Sequence, residues 1–298
     1  MKKNKIKGEI SVKIISHAVL LVLGLSCLLS ILLVIGASFQ TQAEIVRRGY
    51  ALIPEKPSLE AYITVFRNPY QLFKSYFNTI YTTVVGTVLG VAISASAGYV
   101  MSRKTYKYRN IFAFYVFFTM MFNGGLVPMY IMMTKWFNLK NTYLALILPL
   151  VVNGWYIMLM KGYFAGIPDA VIESARIDGA GELYTFLKIV IPMSTPVIAS
   201  ISLFYVLGCW NDWYQSLLYT TDSEYYKLQY LLMNMIRSAE FLNSDVAQSL
   251  DMDKIAEIPT MNVKMAMCVL AAGPILFVFP FFQKYFVKGI AVGSVKGY

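Results

Sequence analysis

Charge is what this chain has least of. Asp, Glu, Lys and Arg make up 14% of its 298 residues, whereas 57% are hydrophobic. A soluble domain carries charge at about a quarter of its positions, so a soluble fold is excluded. Histidine is nearly absent, and the single His17, at the start of the first apolar run, makes neither a metal site nor a triad. Cys27, Cys209 and Cys268 lie far apart within apolar stretches. No C-x-x-C occurs, so neither a zinc site nor a disulfide framework is indicated. No G-x-x-x-x-G-K-[ST] occurs either, so the chain does not itself bind ATP through a P-loop. No metal or cofactor is expected on it. A membrane-embedded enzyme would need His, Asp, Glu or Cys clustered at membrane depth, and the sequence offers none.

What the chain has instead is long apolar runs. About 20 residues at 1.5 Å each cross a hydrocarbon core of about 30 Å, and six runs meet that length: Ile14–Ser38, Tyr76–Met101, Asn110–Met133, Thr142–Phe164, Met193–Leu218 and Val263–Phe286. They lack the period-two alternation of a barrel strand, so the expected class is an all-α integral membrane protein with six transmembrane helices. The first run follows Lys2, Lys3, Lys5, Lys7 and Lys13. It is too long for the apolar core of a cleaved signal and reads as a retained helix. Residues 1–13 form a tail and 14–298 the membrane domain.

Lys and Arg placement orients the helices. With both termini inside, the inner face collects the five N-terminal lysines and Arg103, Lys104, Lys107 and Arg109. It also gains Lys161, Arg176, Lys188, Lys284, Lys288 and Lys296, against Glu9, Asp169, Glu173, Asp178 and Glu182. The outer face is then balanced, so the net charge of +10 lies inside, as the positive-inside rule asks. Spread over short inner loops, this charge does not call for nucleic acid.

The same topology places residues 165–192 in the cytoplasm. Their core reads ESARIDGAGELYTFLKIVIP, from Glu173 to Pro192. Ile167-Pro168-Asp169 starts a helix, with Pro and an acid in its first turn. Gly179 stands where the helix must stop or bend, and Pro192 is expected to open the fifth span. Small Ser174, Ala175 and Ala180 permit close approach of a partner, and Glu173 and Asp178 offer acceptors to its basic groups. An amphipathic inner loop would also carry acids and glycine, but the full spacing on the right side of the membrane favours docking.

That spacing resembles the EAA signature of permease subunits of ATP-binding-cassette (ABC) importers; the second Ala of the signature is Ser174 here and its Leu is Ile191. Phe122–Pro128, Trp210-Asn211-Asp212-Trp213 and the closing Phe282–Gly289, Gly293 and Val295-Lys296-Gly297 extend the likeness over nearly the whole chain. Together they are similar to the carbohydrate-importer permeases of Gram-positive bacteria, of the LplC and YtcP type. The resemblance implies a type I importer fold in a bacterial cell membrane. It also implies a second permease, two copies of a P-loop ATPase that holds ATP and Mg, an extracellular solute-binding lipoprotein and a carbohydrate substrate. Glu173, Ser174, Ala175, Arg176, Asp178, Gly179 and Ala180 are then the contact to the ATPase.

Several residues are unusual for lipid. Asp212, near the outer end of the fifth run between Trp210 and Trp213, either lines a pathway or is wet at the interface. Asn123, Asn153, Trp155 and Tyr156 fall inside the third and fourth runs. Amides and aromatic faces suit a sugar, although each singly also serves helix packing or an interfacial belt. With Trp210, Asn211, Asp212 and Trp213 they form the expected translocation path. Gly86, Gly90, Ser94 and Gly98, each four apart, make one small-residue stripe for packing, within the chain or against the second permease. Outer residues 219–262 include an amphipathic helix, Leu228–Phe241, that covers the bundle or meets the binding protein; Glu44–Lys74 connects two spans. An ion-driven secondary transporter remains the rival, and would show paired carboxylates or broken helices near the midplane.

Overall fold

The computed structural model describes residues 2–67, 69–242 and 261–294, and no strand occurs among them. Residues 243–260 of the outer segment and Val295, Lys296 and Gly297 lie outside the described residues. The chain divides into two compact units, 1–69 with 234–272 and 70–233 with 273–298.

In the first unit, α1 (Lys2–Ser38) holds the first span, Val12–Ser38, whose most apolar stretch buries no side chain in the chain itself. Such all-round apolar exposure suits lipid. The expected plain connection after it is folded into α2 (Gln42–Arg48) and α3 (Glu60–Val65). Buried Gln40 donates to Glu44 Oε1 at 3.0 Å and accepts from Ala51 N at 2.9 Å. Glu44 also accepts from Glu55 N at 2.9 Å and pairs with Arg48. The Glu55 amide, helped by Gln40 and Arg48, holds the Glu44 carboxyl below its ordinary range.

Next come α4 (Pro69–Ser102), α5 (Arg109–Met121) and α6 (Leu126–Ile131), which a wider π turn extends to Trp136. After α7 (Tyr143–Val151), α8 (Gly154–Ala165) and α9 (Asp169–Ile177) comes the short α10 (Glu182–Thr185), continued by a π turn over Phe186–Val190. The order ends with α11 (Ile191–Met193), α12 (Thr195–Trp210), α13 (Tyr214–Tyr219), α14 (Leu228–Leu242) and α15 (Met261–Ser294).

Three helices are each long and apolar enough to cross a membrane: Val12–Ser38, Pro69–Ser102 and Met261–Val278. The other three spans are not the continuous rods expected, but bent pairs. α5 and α6 meet at 109°, α7 and α8 at 46°, and the Glu182–Met193 segment meets α12 at 83°. At the first break Gly125 adopts φ +89, a conformation open to glycine, and Asn123 Oδ1 accepts its N–H at 2.9 Å. At the second, Val152 and Asn153 are extended, and the Asn153 side chain caps α8 by accepting from Trp155 N (3.0 Å) and Tyr156 N (3.3 Å). At the third, Ser194 is the turn and Pro196 stands in the first turn of α12. Pro192 opens only the short α11, and Pro196 opens the long arm of the fifth span, α12. It ends at Trp210, short of the expected Leu218, because Asn211–Trp213 interrupt the helix before α13.

The small stripe of α4 packs inside the chain. A Cβ on Gly90 would meet the Tyr205 ring at 2.4 Å, one on Gly98 would meet Met160 Cβ at 2.7 Å, and one on Gly86 would meet Cys209 Sγ at 3.0 Å. Ser94 Oγ lies 2.9 Å from the Tyr205 hydroxyl, which itself donates to Val151 O at 2.9 Å. Tyr205 thus satisfies a carbonyl that the break in span four leaves without a helical partner. Gly90→Ala should cost about 1–3 kcal/mol of stability through overpacking. Thermal unfolding in detergent checks this, and the same substitution in a Tyr205→Ala background should cost less, because the ring that the Cβ would meet is gone.

Candidate functional site

The polar hairpin is built on α9. Pro168 leads into it in extended conformation (φ −57, ψ 131), and Asp169 places an acid at its positive end. Its far end is closed by Gly179 at φ +79. Gly179 N donates to Arg176 O at 3.0 Å and Ala180 N to Ala175 O at 2.9 Å, the paired bonds of a Schellman cap. Ser174, Ile177 and Asp178 face solvent on one flank, and Ile177 is 86% exposed. Leu183, Tyr184 and Leu187, just beyond, are also exposed. Glu173 and Arg176 are exposed on the other flank. Ala175 points the opposite way. It is buried with Ile172 against the chain's own interior, so internal packing accounts for its small side chain.

Electrostatic braces fix the hairpin to the end of α4. Lys104 Nζ lies 2.6 Å from Asp169 Oδ2 and holds that carboxyl below its usual range. Arg176 pairs with Glu182, whose other oxygen accepts from Tyr99 Oη at 2.7 Å. Below these contacts Ile167, Ile172 and Val190 share one core with Ala95, Tyr99, Met160, Phe164, Ile201 and Tyr205. Hairpin and spans two, four and five are therefore packed as one body.

The expected path residues are dispersed. Asn153 and Trp155 share a cleft with Tyr115, Thr119 and Met120, and Trp155 is exposed there. A Cβ on Gly154 would meet Met120 Cγ at 2.7 Å, so α5 and α8 approach closely beside the cleft. Tyr156 leaves the cleft and packs on Tyr205 at 4.7 Å between ring centroids. Trp210 is buried and lines a separate apolar groove with Thr83 and Thr87. Asn123 serves the turn of span three, and Asn211 is exposed at the end of α12.

Asp212 is not wet at an interface but held in a buried ion pair. Its side chain is 7% exposed and its Oδ2 lies 3.0 Å from Nζ of Lys227, which is fully buried and also donates to Cys209 O at 2.6 Å. One lysine between two apolar runs is ordinary in a sequence, and only its partner makes Lys227 informative. Nearby, Asn78 Nδ2 donates to Glu224 O and Tyr226 O at 2.8 and 3.0 Å, and Thr79 Oγ1 accepts from Leu228 N at 2.9 Å. Glu224 is held by Lys74 at 3.0 Å and by Tyr70 Oη at 2.8 Å, which lower its pKa from 4.5. A lowered carboxylate stabilises the fold above its ordinary pKa and loses that contribution as pH falls through the lowered value. Melting in detergent from about pH 7 to about pH 3 should show an acid-side loss that is smaller in Glu224→Gln.

Residues 83–292 match the family model described as the inner membrane component of binding-protein-dependent transport systems. The chain belongs to that family. The permease is 38% identical over 281 residues to the polygalacturonan/rhamnogalacturonan transport permease YtcP of Bacillus subtilis, covering 94% of this chain and 96% of that one. It is 38% identical to Protein LplC of the same organism, over 92% and 91% of the two chains. It also resembles the crystal structure of a bacterial ABC transporter for the acidic polysaccharide alginate, at TM-score 0.78 and 26% identity, over 92% of this chain and 95% of that one. Broken spans, expected of an ion-coupled rival, are present in this permease. The residues at the first two breaks, Phe122–Gly125 and Val152–Asn153, include no carboxylate, and the family settles the transport class.

Proposed function

We propose that this chain is the permease half of a carbohydrate importer whose hairpin carries motion from a separate ATPase to the translocation path. The observation behind it is the core that Ile172 and Val190 share with Tyr99, Met160, Phe164 and Tyr205. A push on α9 acts on spans two, four and five together. Through the Tyr205–Val151 hydrogen bond it reaches the break in span four, beside the cleft of Asn153 and Trp155. Exposed backbone at membrane depth is tolerated where it lines a wet cavity or meets protein, which fits a path shared with a second permease. Ile177, Leu183, Tyr184 and Leu187, with Glu173, Ser174 and Asp178, form the docking face. Ala175 and Gly179 shape the helix from within. ATP and its Mg ion belong to the ATPase, two copies of which serve a permease pair on the cytoplasmic side with both termini. An extracellular binding lipoprotein delivers the sugar. The names of the relatives support a polar oligosaccharide, and two of the most similar come from a Bacillus, which supports a Gram-positive cell membrane.

The test is purification of the tagged chain in mild detergent from its native host. A second permease and a P-loop ATPase should co-elute, with hydrolysis stimulated by the binding protein loaded with galacturonan or arabinan oligosaccharides. A chain that elutes alone, even after mild cross-linking, would refute the importer and turn attention to ion coupling.

A further inference from the structure

Just past the end of α4, Arg103 is only 7% exposed. Its Nε reaches Ser102 Oγ at 3.5 Å and its guanidinium lies 5.2 Å from the centroid of the Tyr99 ring. Among the described residues no carboxylate oxygen comes within 4.0 Å of it, since Asp169 is engaged by Lys104 and Glu182 by Arg176. A guanidinium presents a planar fork of N–H donors. The guanidinium nitrogens are not among the buried atoms left without a partner, so the remaining N–H donors of the fork open to solvent, where a charge-assisted hydrogen bond can still form. Arg103 lines a small cleft with Lys104, Thr105, Asp169, Glu173 and Arg176.

We propose that this cleft binds the phosphate of an anionic lipid headgroup, with Arg103 as the fork that grips it. The cleft lies just past the end of α4, a helix long and apolar enough to cross a membrane. The loop that follows carries Lys107 and Arg109 interleaved with Tyr106 and Tyr108, and Lys107 Nζ lies 5.7 Å from the Tyr108 ring centroid. Tyrosines settle at the membrane interface, and basic pockets between helices at that level take acidic headgroups. A bound phosphate would tie the hairpin to the bilayer surface along Asp169 and Arg176, with Glu173 on the rim between that cleft and the Ser174, Ile177 and Asp178 flank left for the ATPase. The rim carboxylate of Glu173 is exposed and weakly opposes an anion. The assignment rests on the proposed function only for the leaflet, which would be the cytoplasmic one.

The test is native mass spectrometry of the full chain in neutral detergent, titrated with phosphatidylglycerol and, separately, phosphatidylcholine. Wild type should retain phosphatidylglycerol about tenfold better, as lost charge-assisted hydrogen bonds imply. Arg103→Gln should bring the two lipids close to parity, Arg103→Lys should keep part of the preference, and Glu173→Gln should raise it. Equal preference in Arg103→Gln and wild type would overturn the site. So would full displacement by inorganic phosphate, which would make the ligand a soluble phosphate. Loss of the co-purifying ATPase with lipid retention intact would overturn it too, and would assign Arg103 to a partner carboxylate. If Arg103→Gln does not fold, Glu173→Gln decides, and an unchanged preference there counts against the proposal. The readout needs no transport, so it stands or falls apart from the importer reading.

Discussion

Replacing Gly179 by leucine should abolish uptake while leaving the chain inserted in the membrane. The reason is backbone conformation and not crowding. A Cβ at Gly179 would meet nothing within 4 Å, but its φ is +79. A side chain in the left-handed region costs about 1–2 kcal/mol per residue, enough to redirect a surface turn that closes on the two cap bonds of Gly179 and Ala180. Arg176 and Glu182 lie on either side of that turn, so their pairing and the Tyr99 contact go with it. Uptake of the oligosaccharide that the wild type carries should fall below about a tenth of wild type while the protein level in the membrane holds, since ~1.4 kcal/mol is a tenfold change in an equilibrium. Gly179→Asn, which tolerates positive φ, should keep most activity. Wild-type uptake in the leucine variant would remove the hairpin from the mechanism. Glu173→Lys, which reverses charge on the exposed face without touching the turn, should uncouple hydrolysis from uptake in the same assay.

The second large effect is expected from Lys227→Met. Lys227 is fully buried against Asp212 and the Cys209 carbonyl, so its loss strands a carboxylate out of water. Breaking a buried pair on one side costs about 3–5 kcal/mol, whereas exchanging both partners for apolar residues is often close to neutral. Lys227→Met should therefore lower the melting temperature strongly, and Lys227→Met with Asp212→Leu should recover most of the loss. If the double variant is no more stable than the single one, the pair is not what holds the end of α12. Alanine at Asp212 would depress uptake through stability, so it does not isolate a pathway role. Asn211→Ala does isolate one, because Asn211 is exposed. Unchanged uptake in that variant would remove Asn211 from the path.

The amino-acid sequence by itself determined the class of this protein, the position of its apolar segments and the place of its hairpin along the chain. Apolar content summed over about 20 residues is a local quantity, and so are the cap of Gly179 and the acid of Asp169. Hydropathy could not register the three breaks, because one or two extended residues at Val152–Asn153 or a turn at Ser194 leave the sum unchanged. Only the tertiary structure decided what depends on distant partners. Ala175 belongs to the interior because Ile172 beside it joins a core built by α4, α8 and α12. Gly90 is small because Tyr205, far along the chain, rests on it. Asp212 is held out of water because Lys227, fifteen positions on, is folded back against it.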